Sequence, residues 1–179
     1  NGETLASKSD AVVISINYRL SAFGFLYSDE VNGVKGNQGL WDQAMALEWV
    51  QENIRYFGGD PNKVTIMGNS AGGWSVSLQV LSPVARKFFH NAMISSGAAI
   101  NDRVVVEPSE AVERWLKGIR HVGCATERDT SITKEVVECL EKLEPEKVYE
   151  TGYFVSKGVG GKCRRPNVNC STNDEIHSI

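Results

Sequence analysis

The chain has 179 residues, 41% of them hydrophobic, with four cysteines and a net charge of −3. That apolar content is enough to build a core and carries no bias toward disorder. The basic residues form no stripe, which argues against nucleic acid as a main partner, and no apolar run reaches the ~18–20 residues of a membrane span.

Residues 11–17 are rich in β-branched side chains and predict a buried strand. Residues 18–36 contain three glycines and predict irregular structure. Residues 39–56 predict a helix, with Leu40, Ala44, Leu47 and Ile54 on one face and Trp41, Met45 and Trp49 beside it. Gly58-Gly59-Asp60-Pro61 is turn chemistry. A short apolar run over residues 64–67 predicts a second strand, and residues 91–95 a third, separated by a helix over 73–81. Strands alternating with helices predict parallel pairing and an α/β fold.

Between the second strand and its helix stands Gly68-Asn69-Ser70-Ala71-Gly72. Strand, Gly-x-Ser-x-Gly and helix, in that order, are the context of a nucleophile elbow. There a sharp, strained turn presents the serine hydroxyl, and both flanking positions must be glycine to avoid clashes. The helix N-terminus faces the reacting centre, and the N–H of Ala71 donates to the oxyanion of a tetrahedral intermediate. The plainer alternative is that Ser70 simply caps the helix that follows it.

Beyond residue 98, Pro108 can open a helix that carries Val112, Trp115, Leu116 and Ile119 at helical spacing. Residues 131–143 predict another amphipathic helix. Both read as structural packing. Cys124 follows a helix end at Gly123, and Cys139 shares an apolar face with Val136, Leu140 and Leu143, so burial as a free thiol accounts for it without a disulfide. The periodicity ends at Gly152. Cys163 and Cys170 in the tail can pair or stay reduced, Asn169-Cys170-Ser171 is a weak glycosylation sequon, and no histidine stands at metal-ligand spacing.

Phe57-Gly58-Gly59-Asp60-Pro61-Asn62-Lys63-Val64-Thr65-Ile66-Met67-Gly68-Asn69-Ser70-Ala71-Gly72-Gly73 closely resembles the active-site signature of the type B carboxylesterases and cholinesterases. Asn17-Tyr18-Arg19-Leu20, Gly36-Asn37-Gln38-Gly39-Leu40-Trp41-Asp42-Gln43 and Ile94-Ser95-Ser96-Gly97 continue the likeness. It is dense over residues 11–98, thinner to about 150, and absent after 151. The resemblance implies an α/β-hydrolase fold, a mostly parallel sheet with helices on both faces, of which only the nucleophile-bearing part is present. Residues 1–151 would belong to that domain and 152–179 to a divergent, irregular tail. The chain would begin just after the family's Gly-rich oxyanion loop and end before its catalytic acid and histidine.

The implied reaction is hydrolysis of a small carboxylic ester through an acyl-enzyme on Ser70, with no cofactor and no metal. Gly68, Asn69, Gly72 and Ser96 support the site, Ser96 either beside the catalytic acid or in a plain strand-end hydrogen bond. Trp74 packs under the elbow helix. Arg19 and Asp42 match a buried salt bridge, and Cys124 and Cys139 match a family disulfide. A disulfide places the protein outside the cell or in the lumen of the secretory pathway. Of the three histidines, His90, His121 and His177, none matches the family's base. Cholinesterases usually carry a glutamate just before the nucleophile, and Asn69 stands there instead, which implies a neutral ester over a choline ester. The competing reading is a non-catalytic, neuroligin-like adhesion protein of the same fold. Such relatives typically lose the nucleophile, and here Ser70 keeps both flanking glycines.

Overall fold

The computed structural model describes residues 2–100 and 104–159. His177, Cys163, Cys170 and the sequon at Asn169 lie outside the described residues. Seven α-helices and two strands are present among the described residues, and the chain divides into two compact units. Among the described residues, one unit comprises residues 2–18 and 39–100, the other residues 19–38 and 104–159.

In the first unit, α1 (Gly2–Lys8) is exposed throughout. Residues 11–20 form neither helix nor strand, which corrects the expected first strand. β-Branched residues favour a strand only where a neighbour completes the ladder, and the sheet of this unit holds two strands. α3 (Gln38–Asn53) follows, continued by a 3-10 turn over Ile54–Phe57. Its Ala44 and Val50 are buried, whereas Trp41, Met45 and Trp49 are exposed. Gln51 donates from Nε2 to the carbonyls of Pro61 (2.8 Å) and Phe88 (2.9 Å), tying the end of α3 to the turns that lead into both strands.

β1 (Thr65–Asn69) and β2 (Asn91–Ser95) pair in parallel, in register from Thr65↔Asn91 to Asn69↔Ser95, as expected. α4 (Ala71–Leu81) connects them and packs on both. The strands are not buried: β2 is exposed along its whole length, and Met67 and Met93, opposite each other in register, are each 60% exposed. Parallel strands are buried only where helices cover both faces, and α4 is the helix packed on this pair.

In the second unit, α2 (Ser21–Phe25) lies in the segment read as irregular. Five residues are too few to show a 3.6-residue period. α5 (Pro108–His121) and α6 (Lys134–Glu141) form where periodicity placed them, α6 shorter than expected. α7 (Pro145–Val159) crosses Gly152, where the sequence pattern stops. Leu116, Ile119, Ile132 and Leu140 form the centre of the core, with Trp115 and Val148. Gly123, at φ +83°, ends α5. Its N–H reaches Arg120 O at 3.1 Å and that of Cys124 reaches Ile119 O at 3.1 Å, a left-handed C-terminal cap. Cys124 is thereby set against Cys139 of α6, with Cα atoms 5.6 Å apart, and the two are disulfide-bonded as the family likeness implied.

The disulfide loop contains a second restraint. Asp129 Oδ2 accepts from the Thr126 backbone N–H (2.6 Å) and from Thr126 Oγ1 (2.7 Å). The backbone bond first, and the hydroxyl second, hold the Asp129 carboxyl below its ordinary value of 3.8. A depressed folded pKa means that this contact stabilises the loop above the unfolded value and is lost as pH falls through the lower folded one. An NMR titration of the Thr126 amide is therefore expected to show a midpoint below 3.8 that Asp129→Asn removes. A midpoint at or above the ordinary value would mean that the turn does not form in solution.

Candidate active site

Ser70 ends β1 and begins α4 with φ +54° and ψ −118°. A non-glycine residue in this region of backbone space costs on the order of 1–3 kcal/mol and persists only where its surroundings enforce it. An ordinary helix cap has extended backbone and a side chain bonded to the helix. Ser70 has neither, since its side chain makes no capping bond. The plain capping alternative therefore fails. Ser70 is exposed, as is Asn69.

The peptide on each side of Ser70 is engaged. Its N–H donates to Ser95 O at 2.9 Å, extending the β1–β2 ladder by one step, and its carbonyl accepts from Trp74 N at 3.0 Å, the first bond of α4. Ala71 is the first residue of α4, so its N–H has no acceptor within the helix and faces outward from the N-terminus.

The glycines divide differently from the sequence reading. A Cβ on Gly68 would lie 2.1 Å from Gly72 O, so this position must be bare. A Cβ on Gly72 would meet nothing within 4 Å, which corrects the expectation that both flanks clash. The close contacts fall one residue later: a Cβ on Gly73 would lie 2.6 Å from Ser95 O. Gly97, also not singled out, would place one 2.3 Å from Ser70 O. The signal for Gly73 was present as a glycine doublet inside a helix, where each glycine costs about 1 kcal/mol against alanine and so calls for a packing reason.

Behind the elbow a buried polar set joins α3 to α4. Gln43 Nε2 donates to Ser75 Oγ (3.1 Å), and Gln79 Nε2 donates to Gln43 Oε1 (3.1 Å) and Leu40 O (2.9 Å). Gln43, Ser75 and Gln79 are each 5% exposed, and their mutual bonds make such burial tolerable. Trp74 is half-buried on this helix.

Of the candidate bases, His90 stands immediately before β2, at the opposite end of the parallel pair from Ser70. Along a strand of roughly 3.3 Å per residue it is about 16 Å away, too far to take the serine proton. Its Nδ1 faces the Val64 backbone N–H at 3.4 Å. His121 ends α5 in the other unit. Ser96 follows β2 at φ +55°, exposed, one residue beyond the last paired step. Arg19, in the second unit, is exposed, and Asp42, in the first, is half-buried.

A parallel β–α–β unit that forces a serine into a strained turn at the strand end, with a helix N-terminus behind it, has the backbone of a serine-hydrolase nucleophile elbow. The chain belongs to the Carboxylesterase family, whose match covers residues 1–164 and so extends past the limit near residue 150 read from the sequence. It is 43% identical over 155 residues to acetylcholinesterase-1 of Trittame loki, a stretch that is 86% of this chain and 27% of that protein. Against the acetylcholinesterase of Danio rerio the identity is 43%, over 87% of this chain and 24% of the relative. Against cholinesterase 1 of Branchiostoma lanceolatum it is 42%, over 84% and 41%. The chain thus spans about a quarter of the length of the acetylcholinesterases it matches.

Proposed function

We propose that this chain carries the nucleophile of a serine carboxylic-ester hydrolase of α/β-hydrolase fold, β1 and β2 being two strands of a larger, mostly parallel sheet. The observation that carries the reading is the backbone of Ser70, held at φ +54° on a glycine-bracketed turn with its hydroxyl left out of the helix cap. Backbone strain clusters where a side chain must be presented, and at Ser70 it falls between a strand and a helix N-terminus, where that presentation would serve catalysis. The neuroligin-like alternative gains nothing from it.

In the proposed reaction Ser70 Oγ attacks the acyl carbon of a small ester as a base takes its proton. The Ala71 N–H stabilises the oxyanion. The alcohol leaves with a proton, and water then releases the acid from the acyl-Ser70 intermediate. Attack by Ser70 Oγ and then by water, with the base carrying the proton each time, accounts for every covalent bond made or broken, so the reaction calls for no metal or organic cofactor. The disulfide between Cys124 and Cys139 supports a secreted or secretory-lumen location. Among the described residues, no helix is long and apolar enough to cross a membrane.

Asn69 is exposed beside the nucleophile and offers hydrogen bonds without charge. Neutral esters are therefore favoured over choline esters, although the relatives' names point to the latter. The test is fluorophosphonate labelling of the native protein, with the adduct sought on the tryptic peptide of residues 64–86. The same preparation is assayed with acetylthiocholine and a neutral acetyl thioester. Labelling of Ser70 with the neutral substrate preferred supports the reading in full. A strong choline preference removes the Asn69 argument, and an abundant unlabelled peptide removes the enzyme.

A further inference from the structure

The strained turn at Ser70 needs something to hold it, and the segment that leaves β2 does so. Residues 70, 73, 74 and 77 share one face of α4, since positions three, four and seven apart lie above one another on a helix. The chain after Ser95 runs back along that face. The Ser70 N–H is bonded to Ser95 O (2.9 Å). The Cα of Gly97 is seated so close to the elbow that a side-chain carbon there would lie 2.3 Å from Ser70 O and 2.9 Å from Trp74 Cδ1. Two residues on, the Ala99 N–H donates to Ser77 Oγ at 2.9 Å. Ser77, half-buried, is thus the point where the far end of this segment is fastened to the nucleophile's own helix.

We infer that Ser77 and Gly97 are positioning residues: Ser77 latches the segment after β2 to α4, and Gly97 presses it against the Ser70 carbonyl, so that the strained turn cannot relax. This rests on the esterase reading of Ser70 and adds to it the device that keeps the hydroxyl presented. Neither residue touches a substrate. Without the latch, the segment is free to lift away from Ser70 O, and the turn gains room to move toward ordinary φ values, carrying the hydroxyl and the Ala71 N–H out of register with each other.

The experiment compares the native protein with Ser77→Ala, Ser77→Thr and Gly97→Ala. One hydrogen bond is at stake in Ser77→Ala, so the maximal rate of Ser70 labelling by a fluorophosphonate is expected to fall about three- to tenfold, with KM for ester unchanged. Ser77→Thr keeps the hydroxyl and is expected to restore the rate. Gly97→Ala displaces the turn itself and is expected to cost about a hundredfold. A Ser77→Ala protein that melts earlier but labels at the native rate would show a merely structural serine and overturn the inference. Amide exchange at Ser70 provides a readout independent of activity. If the native protein does not label, the esterase reading fails on its own. Faster exchange at Ser70 in Ser77→Ala then still supports the latch, and unchanged exchange overturns it.

Discussion

Gly68→Ala is expected to abolish covalent labelling of Ser70, whereas Gly72→Ala is expected to leave it within a few-fold of the native rate. The two glycines look equivalent in Gly-x-Ser-x-Gly, and the structure separates them. The added carbon at Gly68 would sit 2.1 Å from Gly72 O and 2.3 Å from its carbonyl carbon. Both obstacles are backbone in the first turn of α4, so relief requires opening that turn, the one that holds the Ala71 N–H and the Ser70 hydroxyl in place. Losing the nucleophile of a serine enzyme outright costs on the order of 10⁶ in kcat, and misplacing both partners at once belongs near that scale. At Gly72 the added carbon enters open space, and alanine is the better helix former by about 1 kcal/mol. Labelling rates of the two variants, normalised to folded protein by circular dichroism, decide the matter. Equal loss in both would show that Gly72 is also pressed in solution and that the open space at its face is filled.

Several features of the fold and site were legible because their signals are local. Pro108, with Val112, Trp115, Leu116 and Ile119 at helical spacing, gives α5 a start and a buried face that depend only on the residues themselves. The elbow was legible for the same reason: five residues, a strand before and a helix after. What was not legible depends on what packs against what. Residues 11–17 have strand-like composition, but composition does not supply a ladder partner. The exposure of β2 follows from what covers it and not from its own Asn-Ala-Met-Ile-Ser. Gly73 and Gly97 matter because Ser95 O and Ser70 O approach them from another segment: the glycine doublet signals that something packs on Gly73 but not what, and nothing local signals Gly97. The exposure of Arg19 belongs to the same class. A family match of charged residues implies a pair, whereas its strength depends on solvent, which the residue types do not state.

The second large effect is expected at the disulfide. Cys124 and Cys139 close a loop with a sequence separation of 15, which in the chain-entropy account is worth about 3 kcal/mol. Replacing both by alanine is therefore expected to lower the melting temperature of the unit that contains α5, α6 and α7 by roughly 10–20 °C. The native fold gives little reason for the loss to be larger. Gly123 already ends α5 in the left-handed conformation that delivers residue 124 to α6. Arg120 holds the loop through Thr126 O (2.9 Å) and Asp129 O (2.8 Å), and these bonds survive the substitution. The effect is thus placed in the unfolded chain, where the crosslink removes conformations, while the folded loop keeps its packing and its hydrogen bonds. Two consequences separate these origins. Reduction with a thiol should reproduce the double-alanine melting temperature, because both release the same loop. Arg120→Met, which strips the loop of its guanidinium bonds but leaves the crosslink, should cost less than the double-alanine change. A double-alanine protein that melts within 2–3 °C of the native one, less than about 1 kcal/mol, would mean that the unfolded chain is already compact around α5 and α6. The case for the secretory pathway would then lose its energetic ground, since a bond that stabilises nothing gives no reason to favour an oxidising compartment.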